Sequence, residues 1–282
     1  MSTVRITILI DNYVRRRGLL AEHGWACWVE TPAERLLFDT GQGQALRHNA
    51  GELGVPLATA SAIALSHGHY DHTGGLATAL ELAPTARVFA HPAALEAKYK
   101  RGPDGRIRAI GLPDQLAERR ARLAASLVAT RTPTQVGPGL WLTGEVPRVT
   151  DFERDDNAFR LDAAGEQRDA LPDDQALVVR YAAGLVVVLG CAHAGVINTL
   201  RFVRTLHPGV PLAAVVGGMH LYDASEQRVA RTIRELAALD VGRVIPSHCT
   251  GRRALAAFAA GLPDRCTPGE VGTVLEFELG GV

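Results

Sequence analysis

Three histidines and one aspartate lie within six consecutive residues, in a His-x-His-x-Asp-His motif formed by His67, His69, Asp71 and His72. Imidazole and carboxylate groups are suitable ligands for zinc, iron and manganese. Without a metal ion, each of these polar groups would need its own water molecules or hydrogen-bond partners. We therefore expect His67 and His69 to bind one metal ion and Asp71 and His72 to bind a second; the alternative is a histidine-rich surface loop that binds none.

The motif follows a short apolar run and precedes two glycines. Residues 62–65 have the composition of a buried strand, and Gly74 and Gly75 stand where a helix would begin. The motif is therefore predicted to lie in the loop between the two, where side chains converge beyond the end of a strand. Such loops often carry the functional residues of α/β proteins.

Four other predicted strands end in polar side chains that would suit the same site. These ends carry Asp39, Cys191 with His193, His220, and His248 with Cys249. A lone histidine after a strand is more often a hydrogen-bonded structural group, so the repetition carries the argument. The motif alone does not supply all the ligands of the predicted metal site, which favours His193 and His248 as further ligands. His23 is expected near the site. The other histidines are expected to be structural or exposed, namely His48, His91 and His207.

Apolar and β-branched runs predict eleven strands. They cover residues 4–10, 25–30, 35–38, 62–65, 87–90, 140–143, 176–181, 185–189, 212–216, 243–246 and 273–277. Short turns between the early strands favour antiparallel pairing, and helical patterns separate the later ones. One helix would place Val229, Ile233 and Leu236 on one face and begin with a capping box of Asp223 and Glu226. This order predicts a layered α/β sandwich of two mixed β-sheets with outer helices.

The chain is long and apolar enough for one large core. Its 282 residues are 47% hydrophobic, and we expect a single domain over residues 1–282. Residues 98–131 and 147–174 are predicted additions to it. The second is a polar loop that either covers a site or is a passive excursion. The first has nine basic residues, which either bind a phosphate-bearing substrate or form a solvated helix face: Lys98, Lys100, Arg101, Arg106, Arg108, Arg119, Arg120, Arg122 and Arg131.

Overall charge gives no sign of a nucleic-acid or membrane partner, because 30 basic residues balance 30 acidic ones. The N-terminal region lacks the pattern of a secretory signal, and no apolar run approaches the length of a membrane span. We expect a cytoplasmic protein. The four cysteines have no Cys-x-x-Cys spacing, which argues against a disulfide framework or a structural zinc knuckle. No exposed apolar stripe indicates an oligomeric state.

Taken together, these motifs resemble the metallo-β-lactamase superfamily, whose hallmark is the His-x-His-x-Asp-His loop. The resemblance extends over nearly the whole chain. The chain is similar in particular to one branch of this superfamily, named after 7,8-dihydropterin-6-yl-methyl-4-(β-D-ribofuranosyl)aminobenzene 5'-phosphate synthase. The similarity lies in residues 66–75, 143–148, 190–193, 217–221 and 248–251. It implies a metallo-β-lactamase-like αββα sandwich with metal ions in a cleft at one edge.

The chain departs from the hydrolytic relatives at two positions. Cys191 stands where they have a bridging aspartate, and Asp173 and Asp174 precede the strand pair where they have a histidine. The resemblance therefore implies that His193 supplies the missing imidazole. Cys191 would bind a metal as a thiolate, bridge two metals or only line the pocket. The implied ligand groups are His67, His69 and His193 for one metal and Asp71, His72 and His248 for the other, with Asp39 behind them to orient the ligands.

Two divalent metal ions are thus implied, with zinc as the first expectation and iron or manganese as alternatives. A metal pair lowers the pKa of bound water and stabilises the oxyanion formed when an ester-type bond is attacked. The predicted function is therefore metal-dependent hydrolysis of a phosphodiester, thioester or lactone in a small-molecule substrate. Asp71 would accept a proton from water. Glu145 and His220 would contact the substrate or protonate the leaving group, or else form only hydrogen bonds in the cleft wall.

Three other functions stay open. A pterin-pathway synthase would act on phosphorylated substrates and would need the basic stretch to face the cleft. A redox protein would hold two iron ions, although the chain shows no appended electron-transfer module. A non-catalytic sensor would bind metal and ligand without turnover. A nuclease is less favoured, because a basic surface interleaved with aromatic residues is absent from the sequence.

Overall fold

The computed structural model describes residues 3–117, 120–153 and 158–278. Its strands are β1 (Thr3–Ile10), β2 (Ala26–Glu30), β3 (Arg35–Phe38), β4 (Ala62–Ala64), β5 (Arg87–Ala90), β6 (Tyr99–Arg101), β7 (Ile107–Ala109), β8 (Val128–Ala129), β9 (Thr134–Gly137), β10 (Leu140–Leu142), β11 (Phe159–Arg160), β12 (Leu177–Tyr181), β13 (Gly184–Leu189), β14 (Leu212–Gly218), β15 (Arg243–Ser247) and β16 (Val274–Glu278).

Eight α-helices lie in the same described ranges. They are α1 (Leu46–Glu52), α2 (Tyr70–Thr73), α3 (Leu76–Leu82), α4 (Asp114–Ala117), α5 (Arg120–Ser126), α6 (Val196–Leu206), α7 (Glu226–Ala238) and α8 (Arg252–Gly261). Short 3-10 turns occur at Leu57–Thr59, Pro92–Leu95 and His248–Thr250. None of these helices is both long and apolar enough to cross a membrane.

Two mixed sheets form the body of the molecule. The seven-stranded sheet has the order β16-β1-β2-β3-β4-β5-β8, and the six-stranded sheet has the order β15-β14-β13-β12-β10-β9. Strands β1, β2 and β3 pair antiparallel, as the short turns predict, whereas β3, β4 and β5 run parallel. Strands β13, β14 and β15 also run parallel. Parallel neighbours end at the same edge of a sheet, so the loops after them lie side by side.

Buried apolar side chains form three layers of packing. One layer lies between the two sheets and contains residues such as Phe38 and Val188. Helices α1 and α3 cover the outer face of the seven-stranded sheet, and α6, α7 and α8 cover that of the six-stranded sheet. Removal of this apolar surface from water is the main force that holds the layers together. The predicted αββα sandwich is confirmed.

All eleven predicted strands are present, with ends shifted by at most two residues. The sequence pattern does not predict β6, β7, β8, β9 and β11. These strands are two to four residues long, which is too short to show an alternation of apolar and polar residues. Two of the three residues of β6 are also basic, Lys100 and Arg101.

Helix α7 turns its predicted apolar face toward the six-stranded sheet, but it begins differently from the prediction. The capping box of Asp223 and Glu226 is wrong. The helix begins at Glu226, so Ser225 is the capping residue, and its hydroxyl accepts a hydrogen bond from the amide of Arg228 at 3.2 Å. A serine hydroxyl at this position satisfies an amide that has no partner within the helix.

A third sheet joins the two segments predicted as additions, residues 98–131 and 147–174. Strand β6 pairs antiparallel with β7 on one side and with β11 on the other. The pairing places Lys100 opposite Phe159. We call β6, β7 and β11 the cover sheet, because Phe159 and Lys100 both line the cleft described below.

Lys98, just before the cover sheet, is buried. Its ammonium group lies 2.8 Å from Asp169 Oδ2 and 2.9 Å from Asp173 Oδ1, and both carboxylates are buried as well. The interpretation of Lys98 as part of a solvated helix face is therefore wrong. Asp173 also accepts a hydrogen bond from the amide of Gly68 at 2.8 Å, so this ion-pair group connects the cover sheet to the loop that carries the His-x-His-x-Asp-His motif.

Candidate metal centre

The motif begins three residues after the end of β4 and runs into helix α2. His67 and His69 lie in the loop, while Asp71 and His72 lie in the first turns of α2, which begins directly after His69. The rings of His67 and His72 still lie close together, with centroids 4.2 Å apart. All four side chains are buried, although polar groups of this kind are mostly found at protein surfaces.

Three imidazoles converge on one side of the motif. His67 Nε2 lies 2.9 Å from His69 Nδ1 and 3.3 Å from His193 Nε2. Burial lowers the pKa of His67 and of His193 well below the ordinary value, and it lowers the pKa of His69 to about 3. All three rings are therefore neutral near pH 7, which is the state in which imidazole binds a metal. We call them the imidazole group.

A second group gathers around Asp71. Its Oδ2 atom lies 3.5 Å from His248 Nε2, 3.8 Å from His72 Nε2 and 3.3 Å from His23 Nε2. Burial would raise the pKa of Asp71, but the surrounding histidines, His72 first, hold it well below its usual range. Asp71 is thus a carboxylate at neutral pH. Asp71, His72 and His248 offer donor atoms within 4.8 Å of one another, and we call them the mixed group.

The pKa of His72 shows the charge of this region. Burial would lower it, but the carboxylates of Asp39 and Asp71 raise it to about 9. The negative charges around His72 therefore favour a cation at this end of the cluster. A proton on the ring or a bound metal ion would each meet that demand.

Asp39 lies behind both groups, at the end of β3. Its Oδ2 atom accepts hydrogen bonds from His72 Nδ1 and from Ser66 Oγ, each at 2.7 Å. Because the single hydroxyl proton of Ser66 goes to Asp39, Ser66 Oγ accepts from His67 Nδ1 at 2.9 Å. Both rings therefore carry a proton on Nδ1 and turn Nε2 toward the donor groups. Fixing the ring and its tautomer in this way is how outer hydrogen bonds prepare a histidine ligand.

Asp11 and Asn12 perform the same task for His248, and sequence reasoning missed them. Asn12 Oδ1 accepts from His248 Nδ1 at 2.8 Å, and Asp11 Oδ2 accepts from the backbone amide of His248 at 2.9 Å. Burial raises the pKa of Asp11 to about 8. The signal was present, because β1 ends in this polar pair just as the other strands end in theirs.

Cys191 lies between the two groups, and Cys249 lies beside Cys191 and His248. Cys191 Sγ is 3.1 Å from His72 Nε2, and burial raises the pKa of this thiol well above its usual value. Cys249, which the sequence analysis named beside His248 at a strand end but did not assign as a ligand, offers a sulfur within 4.8 Å of the donor atoms of Cys191 and His248. Its position directly after His248 was the available signal. A thiolate is a strong ligand for zinc, so either sulfur adds to the donors in reach.

His220 lies at the edge of the imidazole group. Its ring centroid is 4.3 Å from that of His193, and its nitrogen, like the sulfur of Cys191, is within 4.8 Å of the donor atom of His193. His220 also has a positive φ, as do Asp39, Ala192 and His248. Non-glycine residues rarely adopt this conformation, and they concentrate at functional sites.

Three other candidates lie away from the donor groups. Glu145, predicted to contact the substrate, is half-exposed and pairs with His91 at 3.0 Å instead of lining the cleft. Asp173 is taken up by Lys98 and the Gly68 amide. Asp174 accepts from the Ala194 amide at 2.8 Å. Within the described residues, neither aspartate belongs to a group with metal-binding spacing.

Two members of each donor group line the floor of a cleft of about 450 Å³: His69, His193, Asp71 and His248. Phe159 of the cover sheet forms one wall, because its ring stacks on that of His69 with centroids 5.2 Å apart. Other lining residues outside the donor groups are Asn12, Tyr13, His23, Tyr70, Lys100, Ile110, Tyr222 and Asp223. The cleft can therefore hold a small molecule directly above the converging nitrogen, oxygen and sulfur atoms.

Of the basic stretch, only Lys100 lines the cleft among the side chains that the structure describes. Arg106 and Arg108 pair with Asp104, and Arg101 donates to the carbonyl of Gly165. Arg131 is exposed. Arg119 lies outside the described residues, as do the side chains of Arg120 and Arg122.

Comparison with known proteins agrees with this geometry. 7,8-Dihydropterin-6-methyl-4-(beta-D-ribofuranosyl)-aminobenzene-5'-phosphate synthase of Methanocaldococcus jannaschii is 28% identical over 265 residues, which are 90% of each chain. A crystal structure described as a metal-dependent hydrolase of the beta-lactamase superfamily is 30% identical, with a TM-score of 0.79, over 99% of this chain and 100% of that one. Zn²⁺-bound PqqB of Methylobacterium extorquens shares the fold, with a TM-score of 0.58 and 15% identity over 96% and 99% of the chains.

The family model described as the metallo-beta-lactamase superfamily matches residues 21–248. The matched range contains the whole motif and both groups of donors. The chain belongs to the metallo-β-lactamase superfamily.

Proposed function

We propose that this protein is a metal-dependent hydrolase that uses a metal-activated water on an ester-type bond, namely a phosphodiester, a thioester or a lactone. One observation carries the proposal: members of both the imidazole group and the mixed group line one cleft, namely His69, His193, Asp71 and His248. In this proposal residues 1–282 form one domain, and residues 98–131 and 147–174 are additions to it.

The donor atoms fit a pair of divalent metal ions, with zinc as the first choice. His248 Nε2 is buried and, within the described part of the chain, has no hydrogen-bond partner, although Nδ1 of the same ring is bonded to Asn12. A buried polar atom without a partner is costly unless something else binds it. In the imidazole group, neutral rings point nitrogen atoms at one another, which is favourable when their lone pairs share a cation.

Bound metal ions would supply a hydroxide near neutral pH and would stabilise the negative charge of the transition state. The chain's own residues supply the rest. Asp71, ionised and beside His23, can accept a proton from a water molecule in the cleft. His220 lines the same cleft beside His193 and can donate a proton to a substrate oxygen. Phe159 keeps water away from one side of the imidazole group.

The first experiment measures metal content by elemental mass spectrometry in protein purified without added metal or chelator. Turnover of a generic phosphodiester and of a thioester is measured on the same sample. We expect two metal ions per chain and cleavage of one of the two bonds. Folded protein without metal would refute the metal site. Metal without turnover would leave the site intact and favour a synthase or a sensor.

A pair of cysteine variants tests the role of Cys191. Since Cys191 Sγ lies 3.1 Å from His72 Nε2, we expect Cys191→Ser to lower metal affinity about 10- to 100-fold, the usual range for an altered metal environment. Cys249→Ser is the matched variant on the other sulfur. Metal content and metal affinity are measured for both. If Cys191→Ser changes only the KM of a cleaved substrate, Cys191 is a wall residue.

A second candidate function is a synthase acting on phosphorylated substrates. It is favoured by the 28% identity to the Methanocaldococcus synthase and by the ammonium group of Lys100 in the cleft. The same metal ions would then organise the substrates. Incubation of the metal-loaded protein with phosphorylated substrates should yield a joined product in this case, whereas the hydrolase should yield only cleavage products.

A further inference from the structure

The cover sheet holds a cation above the imidazole group. Lys100 and Phe159 are cross-strand partners, and the Lys100 ammonium group lies 5.6 Å from the centre of the Phe159 ring. The same ring stacks on His69, with centroids 5.2 Å apart, and meets His193 edge-on, with centroids 5.0 Å apart. Phe159 therefore contacts both the imidazole group and Lys100.

Among the residues that the structure describes, this cation has no carboxylate partner. Within the described ranges, no carboxylate lies within ion-pair distance of Lys100, although its neighbours in the segment are all engaged: Lys98 with Asp169 and Asp173, and Arg108 with Asp104. Lys100 is half-buried and lines the cleft. A half-buried ammonium group in a cleft gains more from an anionic partner than an exposed one does, because it is less screened by water.

The cleft lining also carries a residue of opposite charge. Asp223, on the loop before α7, is an exposed carboxylate that lines the cleft beside Tyr222. The Tyr222 side chain is itself unusually open, with 70% of the residue exposed. Tyr13 and Tyr70 complete an aromatic lining. A flat ring can pack against these aromatic residues, while the charges of Lys100 and Asp223 fix its direction.

We propose that Lys100 binds an anionic group of the substrate that is remote from the bond to be broken, with Phe159 as the spacer between this anion and the metal centre. The substrate class is then a ring compound that carries a phosphate or carboxylate besides its reacting ester. This inference rests on the proposed function for the position of the reacting bond. It names the residue that selects the substrate.

A matched pair of probes tests it. Thymidine 5'-(4-nitrophenyl phosphate) and its 3'-phosphorylated form have the same scissile bond and ring and differ only in a remote phosphate. Binding of both to the metal-loaded protein is measured by isothermal titration calorimetry, and release of 4-nitrophenol is followed in parallel. We expect the wild type to bind the 3'-phosphorylated probe more tightly.

Lys100→Gln should lower the affinity for the 3'-phosphorylated probe on the order of 10- to 100-fold, the value of one hydrogen bond to a charged group. Lys100→Gln should leave the affinity for the probe without the 3'-phosphate unchanged. Lys100→Arg should still bind the 3'-phosphorylated probe more tightly than the other. Arg108→Gln is the matched control, because Arg108 lies opposite Lys100 on β7 of the cover sheet, pairs with Asp104 and does not line the cleft.

Equal effects of Lys100→Gln and Arg108→Gln would overturn the proposal, as would a wild type that does not prefer the phosphorylated probe or binds neither probe. Failure of the proposed function would look different. In that case 4-nitrophenol would not be released or metal would be absent, while the difference in affinity between the two probes would still depend on Lys100. Metal content and the circular dichroism spectrum of each variant confirm that the fold is kept.

Discussion

His69→Ala is expected to reduce kcat/KM for a cleaved substrate by about three orders of magnitude, because a metal ion contributes several kcal/mol of transition-state stabilisation and about 1.4 kcal/mol equals a factor of ten in rate. His69 Nδ1 is 2.9 Å from His67 Nε2, so its loss removes one donor of the imidazole group. Metal content by elemental mass spectrometry should fall together with activity.

The control for His69→Ala is His207→Ala, since His207 lies at the end of α6 and does not line the cleft. It should keep both metal and activity. His193→Ala should behave like His69→Ala. Retention of full activity and unchanged metal content in His69→Ala would remove the site assignment. If only His193→Ala retained both metals, His193 would not be a ligand, and Asp173 and Asp174 would become the candidates for that position.

The second large effect is expected on stability. Lys98→Met should lower the free energy of unfolding by about 3–5 kcal/mol, the typical cost of breaking a buried ion pair by removing one partner. It leaves the buried carboxylates of Asp169 and Asp173 without their shared cation. Asp173 also holds the Gly68 amide, so metal affinity should decrease as well. Urea denaturation at a fixed, saturating metal concentration measures the change.

A triple variant separates charge from packing. Lys98→Met combined with Asp169→Asn and Asp173→Asn removes all three charges, and most of the lost stability should return, because replacing a whole buried ion-pair group is often close to neutral. Arg106→Met is the surface control, since its pair with Asp104 is exposed and should contribute less than about 1 kcal/mol. A Lys98→Met variant as stable as the wild type would contradict the argument.

The layered fold was predictable because its strands are long and apolar. Strand β13, for instance, is buried along its whole length, so its sequence shows an uninterrupted apolar run. The same reasoning could not find the cover sheet. Strand β6 is held in place by its pairing with β11 and by the burial of Lys98, and a run of basic residues predicts solvent exposure unless the partners are known.

The candidate site was partly predictable for a similar reason. The motif is local, so its four residues can be identified from their types and spacing in the sequence. His193 and His248 could be favoured from their positions after predicted strands and from the ligands that the motif lacks, and the family resemblance then assigned each of them to a ligand group. Asn12, 236 residues away from His248, joins the site through a contact that no local pattern encodes. Glu145 shows the opposite error, because its partner His91 is 54 residues away and draws it to a different place.

The two donor groups are oriented by the same carboxylate, that of Asp39. One of its oxygen atoms orients His72 directly and His67 through Ser66, so each group depends on the same carboxylate. When a cation binds to one group, this carboxylate becomes fixed. The conformational entropy that the other group loses on binding its own cation is then smaller. By linkage, the second cation strengthens the first by the same factor. Loading is therefore expected to be cooperative, with chains carrying two cations or none outnumbering those that carry one.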